Sequence, residues 1–195
     1  MSGVTLRAAV AWSCELLTPA QQRAYRRLAV FRGGFALAAA HTVVAEAGQS
    51  EAEVLDLVTA LVDKSLLVAE PPSRPDLPPR FTQLATLREH AQECLDLAGE
   101  TSATQRRHLR AVQAQWAAAD DEALTEQVLP WTAQQVPELE NLRAALRWGL
   151  AALRADAAPD VRDDVAGLLA HSAIFWPRAG LAPEGADGYR QLDAH

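Results

Sequence analysis

The stretch SEAEVLDLVTALVDKSLLVAE, residues 50–70, decides the fold. Ser50 carries a side-chain acceptor suited to cap a helix, and Glu53 stands three residues on as its reciprocal partner. Val54, Leu57, Val58, Leu61 and Val62 then recur at the spacing of one helical face. After Lys64 the pattern changes, because SLLVAE is short, apolar and partly β-branched, as a strand would be. PPSRPDLPP follows at 71–79 with five prolines, which cannot donate to a ladder, so this tip is expected to be irregular. RFTQL, residues 80–84, could pair back on the first strand.

Upstream, TPAQQRAYRRLAVF (18–31) opens with a second capping box, Thr18 with Gln21, and with Pro19 at the first helical position. Tyr25, Leu28 and either Ala29 or Phe31 form its apolar stripe. RLAVFRGGFALAAA (27–40) then breaks at Gly33-Gly34 and resumes through Phe35, Leu37, Ala40 and Val44. A phosphate loop needs glycines that follow a strand and lead into Lys and Ser or Thr. Here they follow a helix and neither residue comes after, so the pair is expected to be a corner. The expectation is a C-cap with a left-handed residue, with Phe31 and Phe35 closing over it. A short helix at the front is expected from Leu6, Ala9, Val10 and Ser13. Three helices from Pro19 to Lys64, a strand, a loop and a strand make the order of a winged helix.

From Thr86 the helical period persists. Leu87, Ala91, Cys94, Leu95 and Ala98 mark one helix ending at Gly99, and Leu109, Val112 and Trp116 mark the next. Pro130 interrupts a third. Leu139, Leu142, Leu146 and Leu150 keep register in a fourth, and Val165, Leu168, Leu169 and Phe175 in a fifth. Paired helices of this kind suggest an α-solenoid, although no clean repeat emerges. The expected fold class is mainly α: a winged-helix domain with a small β-hairpin over residues 4–98, a tetratricopeptide-like helical segment over 103–183, and an irregular tail over 184–195.

Charge and chemistry narrow the function. Residues 1–110 hold 12 basic and 12 acidic side chains, whereas 111–195 hold 6 and 13, so the net −7 belongs to the second part. Neither part has the basic footprint of a nucleic-acid binder. The helix at 51–64, where base recognition would fall, carries Glu51, Glu53, Asp56 and Asp63 against Lys64 alone. Cys14 and Cys94 are too few and too far apart for a disulfide framework or a zinc motif. His41, His90, His108, His171 and His195 show no metal spacing, and Glu89 beside His90 points elsewhere on a helix. No nucleophile-elbow context surrounds Ser13 or Ser65. No catalytic residue, cofactor or metal is therefore expected, and no signal peptide or membrane span, which makes the chain cytoplasmic by expectation. Arg23, Arg26, Arg27 and Arg32 are the densest basic cluster: the solvent face of a helix, or a face that docks a neighbouring domain or partner. Trp131, Trp148 and Trp176 sit beside leucines and suit core packing.

In combination, LAVFRGGF, LVDKSLL, RFTQLATLREHAQECLDLAGE and ENLRAALRW resemble the region after the nucleotide-binding domain in bacterial AfsR-like and LuxR-like signal-transduction ATPase regulators. The resemblance covers roughly residues 4–183. It implies a winged helix that clamps a P-loop ATPase domain of the NB-ARC type, with tetratricopeptide-like repeats behind it that receive signals or partners. It also implies that Ala85 and Thr86 stand where relatives carry a histidine-aspartate or glutamate-threonine pair near the nucleotide, with the charged or imidazole member missing here. The ATPase domain itself is expected to be absent from the chain. The expected function is thus a non-catalytic regulatory and protein-interaction module. Its partner would be a protein or a separately encoded nucleotide-binding domain, with nucleic acid not expected. The alternative is a small winged-helix DNA-binding transcriptional regulator.

Overall fold

The structure is a computed structural model that describes residues 10, 12–72, 78–123, 128–155 and 159–194. The expected front helix lies mostly outside the described residues, as does the centre of the proline-rich tip. The chain divides into two compact units, residues 1–104 and 105–195.

In the first unit, helices α1 (Pro19–Arg27), α2 (Leu37–Val44) and α3 (Glu51–Asp63) precede an antiparallel pair, β1 (Val68–Glu70) and β2 (Arg80–Thr82), and then α4 (Ala85–Leu97). Both capping boxes form, Thr18 with Gln21 and Ser50 with Glu53, so each helix starts with two of its orphan amides satisfied. The core draws on Tyr25, Leu28, Val30, Phe35, Val43, Val54, Val58, Leu61, Ala91 and Leu95, all buried.

The strand after α3 is shorter than SLLVAE suggests. Ser65 adopts φ 57°, its amide donates to Val62 O at 2.8 Å, and Leu66 N donates to Leu61 O at 2.9 Å. These bonds make a Schellman cap, and Leu61 and Leu66, the positions whose apolar contact usually accompanies that motif, are both buried. Helix termination therefore consumes Ser65 to Leu67, and only Val68–Glu70 remain for the ladder.

The glycine corner also differs from expectation. Neither Gly33 nor Gly34 has positive φ; α1 instead tightens into a 3-10 turn, Leu28–Val30, and Phe31 leaves in extended conformation. Phe35 then pairs with Phe81, each amide donating to the other's carbonyl at 2.9 Å. β2 is thus bonded to β1 on one edge and to Phe35 on the other, which adds a third, one-residue strand. A Cβ on Gly34 would lie 3.3 Å from Arg80 Nε and 3.4 Å from Phe81 O, so the small residue allows this approach. Phe31 and Phe35 stack at 4.6 Å over the corner.

The second unit contains most of α5 (Thr101–Ala123), then α6 (Val128–Gln135), a 3-10 turn, α7 (Leu139–Arg154), α8 (Pro159–Ser172), α9 (Phe175–Arg178) and α10 (Ala182–Asp193). Trp116, Trp131, Phe175 and Trp176 form its aromatic core, with Trp116 and Phe175 edge-to-face at 4.9 Å. The buried indoles of Trp131 and Trp176 donate to Ala119 O at 2.8 Å and Ser172 Oγ at 3.1 Å. The tail expected to be irregular over 184–195 is mostly helix α10. Its glycines are what let it pack: a Cβ on Gly185 would meet Trp176 at 2.6 Å, and one on Gly188 would meet Leu169 at 2.8 Å. The fold is mainly α-helical with a small two-stranded hairpin.

Candidate functional site

The four arginines do not share one open face. Arg27 is buried, and its Nε donates to Glu100 Oε2 at 2.8 Å while its Nη1 donates to Glu46 Oε1 at 2.6 Å and to Val44 O at 3.0 Å. Arg26 Nη2 donates to the other Glu100 oxygen at 2.6 Å. Arg23 lies at the rim, 3.8 Å from Glu46, and Arg32 is exposed beyond the end of α1. Helical geometry puts neighbours 26 and 27 about 100° apart, and Glu100 reaches both because it follows the turn at Gly99. Burial works against the charge of Arg27, but its hydrogen bonds to Glu100 and Glu46 more than offset this and raise its pKa. Burial likewise favours the neutral form of Glu100, yet its two arginine partners hold the carboxyl below its ordinary range. Two of the four cations thus hold α1 to the turn that follows α4.

The exposed positions of α3 are Glu51, Ala52, Glu53, Leu55, Asp56, Thr59 and Asp63, with Lys64 at its end. The helix that a winged helix would present to a groove therefore shows carboxylates outward. Glu53 is held below the ordinary carboxylate range by the Ser50 amide and hydroxyl, so it stays ionised. Ala85 and Thr86 are exposed in the first turn of α4.

A groove of about 300 Å³ opens between residues 14–15, α1 and α4, lined by Cys14, Gln22, Tyr25, Arg26, His90 and Cys94. Sequence reasoning passed over this grouping because its members come from segments far apart in the chain. The one local signal was the i,i+4 spacing of His90 and Cys94 on α4. In the second unit, Arg143, Arg147 and Arg154 of α7 face Glu184 and Asp187 of α10 across a smaller groove of about 240 Å³. Arg143 binds Glu184 there through two bonds of 2.7 Å. Among the described residues no group of three or more His, Cys, Asp or Glu is arranged to hold a metal ion, and no helix is long and apolar enough to cross a membrane.

Three helices, a hairpin and the Phe35 bridge define a winged-helix arrangement in the first unit. The chain is similar to proteins named "Putative HTH-type transcriptional regulator", among them Mb0914c of Mycobacterium bovis and Rv0890c of Mycobacterium tuberculosis, each 40% identical over 146 residues. The match covers 74% of this chain but only 16% of either relative. No protein-family description matches the chain, and no solved structure does. The relatives' names are those of transcriptional regulators.

The partner expectation is corrected by these names. A protein or separately encoded nucleotide-binding domain was expected, with nucleic acid set aside, but HTH-type transcriptional regulators are a class expected to bind nucleic acid. The charge argument failed because one acidic helix face and a net charge describe a segment. They do not describe the relatives, of which the match covers only 16%.

Proposed function

We propose that the chain is a winged-helix part of a helix-turn-helix transcriptional regulator and takes part in that regulator's action on DNA. The observation that carries this is the 40% identity, over 146 residues, to proteins so named. The order α1, α2, α3, β1, β2 supports it, with β2 locked to Phe35. Exposed basic side chains stand at the ends of the helices, Arg32 after α1 and Lys64 after α3. Mixed-sequence duplex DNA carrying a fluorophore tests the proposal by anisotropy at low salt. Binding that weakens steeply with added salt is expected, because phosphate contacts release counterions. No anisotropy change at any salt concentration overturns DNA contact by this chain.

A second reading is favoured by one observation, the outward carboxylates of α3. Here the winged helix is a regulatory part of a longer protein, and α3 faces a basic protein surface while another segment meets the DNA. The resemblance to signal-transduction ATPase regulators and the paired helices of the second unit, read as tetratricopeptide-like, support it. Charge reversal at Glu51, Asp56 and Asp63 separates the two. Stronger DNA binding by the triple lysine variant, with regulation by the full-length protein intact, favours the first. Lost regulation with unchanged DNA affinity favours the second.

A further inference from the structure

Two thiols from opposite ends of the first unit meet at one imidazole. Cys14 Sγ lies 3.9 Å from His90 Nδ1, and Cys94 Sγ lies 3.8 Å from the same atom and 4.0 Å from Nε2. Both cysteines are free and half-buried, and both line the groove of about 300 Å³. Tyr25 OH stands 3.3 Å from Nδ1 but donates its own proton to Leu87 O at 2.8 Å. With the phenol proton so committed, the tautomer of His90 that carries its proton on Nε2 lets Nδ1 accept from a thiol. Burial raises the pKa of each thiol, so at neutral pH the pair needs a base to react. Around Cys94, Arg26 favours the thiolate and Glu93 opposes it.

We propose that Cys14 and Cys94 are a redox pair that a low-molecular-weight disulfide oxidises to an intramolecular disulfide, His90 taking the proton of the attacking thiol. One thiol gives its proton to Nδ1, and its sulfur attacks the small disulfide. A mixed disulfide forms and one small thiolate leaves, which recovers a proton. The second cysteine, deprotonated at the same imidazole, attacks the protein sulfur of the mixed disulfide and expels the second small thiolate. Two protein thiols are oxidised, one small disulfide is reduced to two thiols, and the protons pass to the leaving groups. The product ties the helical residues 12–15 to α4 across the face of α1.

The reduced full-length chain is incubated with oxidised glutathione, quenched with iodoacetamide, digested and weighed. The expected product is monomer lacking the mass of two hydrogens, with a Cys14–Cys94 linked peptide. Cys14→Ser should stop at a mixed disulfide on Cys94. His90→Gln, checked for folding by circular dichroism, should slow crosslinking by roughly tenfold or more, a modest share of what a positioned base contributes. Wild-type protein that ends with both thiols capped, crosslinks only between molecules, or reacts only in urea overturns the pair. An unchanged rate in His90→Gln overturns the role of the imidazole.

Discussion

Glu100 binds Arg26 and Arg27 at once, one carboxylate oxygen to each guanidinium, at 2.6 and 2.8 Å. The carboxylate comes just after α4 and the arginines from the last turn of α1, so three charges close the gap between segments some seventy residues apart. Arg27 is the most enclosed of the three. Its other ion pair, to Glu46, is set on the segment after α2.

Glu100→Ala should destabilise the first unit by about 2 kcal/mol, since it strands a largely enclosed Arg27 with half its anionic partners gone. Urea unfolding followed by hydrogen exchange at the amides of α1 and α4 measures it. A loss no larger than that of an exposed surface pair would refute the enclosure argument.

The same cluster sets a pH dependence. The Glu100 pKa in the folded chain lies below its ordinary value, so its contribution is fully present above the unfolded carboxylate pKa of about 4.3. It is lost as the pH falls through the lower folded value. Wild type and Glu100→Gln should therefore differ most in urea midpoint near neutrality and converge on acidification below about pH 4. Midpoints that stay equally separated into acid would contradict this.

Ser65→Gly should stabilise the chain by about 1 kcal/mol. Ser65 holds φ 57° in the Schellman cap after α3, a conformation that costs an L-residue about that much and glycine almost nothing. A thermal melt that shows higher Tm for the variant supports the cap as described, and a lower Tm speaks against it.

Gly149→Ala should cost about 2 kcal/mol, because the added Cβ would overlap Val165 Cγ2 where α7 meets α8. Valine is stiff at χ1 and cannot swing away. Adding Val165→Ala should recover part of the loss, and a double-mutant cycle reads the coupling. Additive losses would mean that the two residues do not clash.

Much of this protein was legible in its residues. The boxes at Thr18 and Ser50 state their own helix starts, since a cap and its partner three residues on interact within one turn. The helical stripe of α3 and the strand-like segment after it follow from periodicity for the same reason. Near-neighbour physics does not specify which distant segments meet. Arg26 and Arg27 read as part of a surface cluster until tertiary packing delivered Glu100 to both. Cys14, His90 and Cys94 carried no motif until α1 and α4 came together. The double glycine looked like a left-handed cap, yet the close approach of Arg80 and Phe81 determines its use. Sequence by itself determined most of the helices, the caps at Thr18 and Ser50 and the order that makes a winged helix. Only the tertiary structure decided which charges pair, which thiols converge and where glycine is needed, because those depend on contacts between residues far apart in the chain.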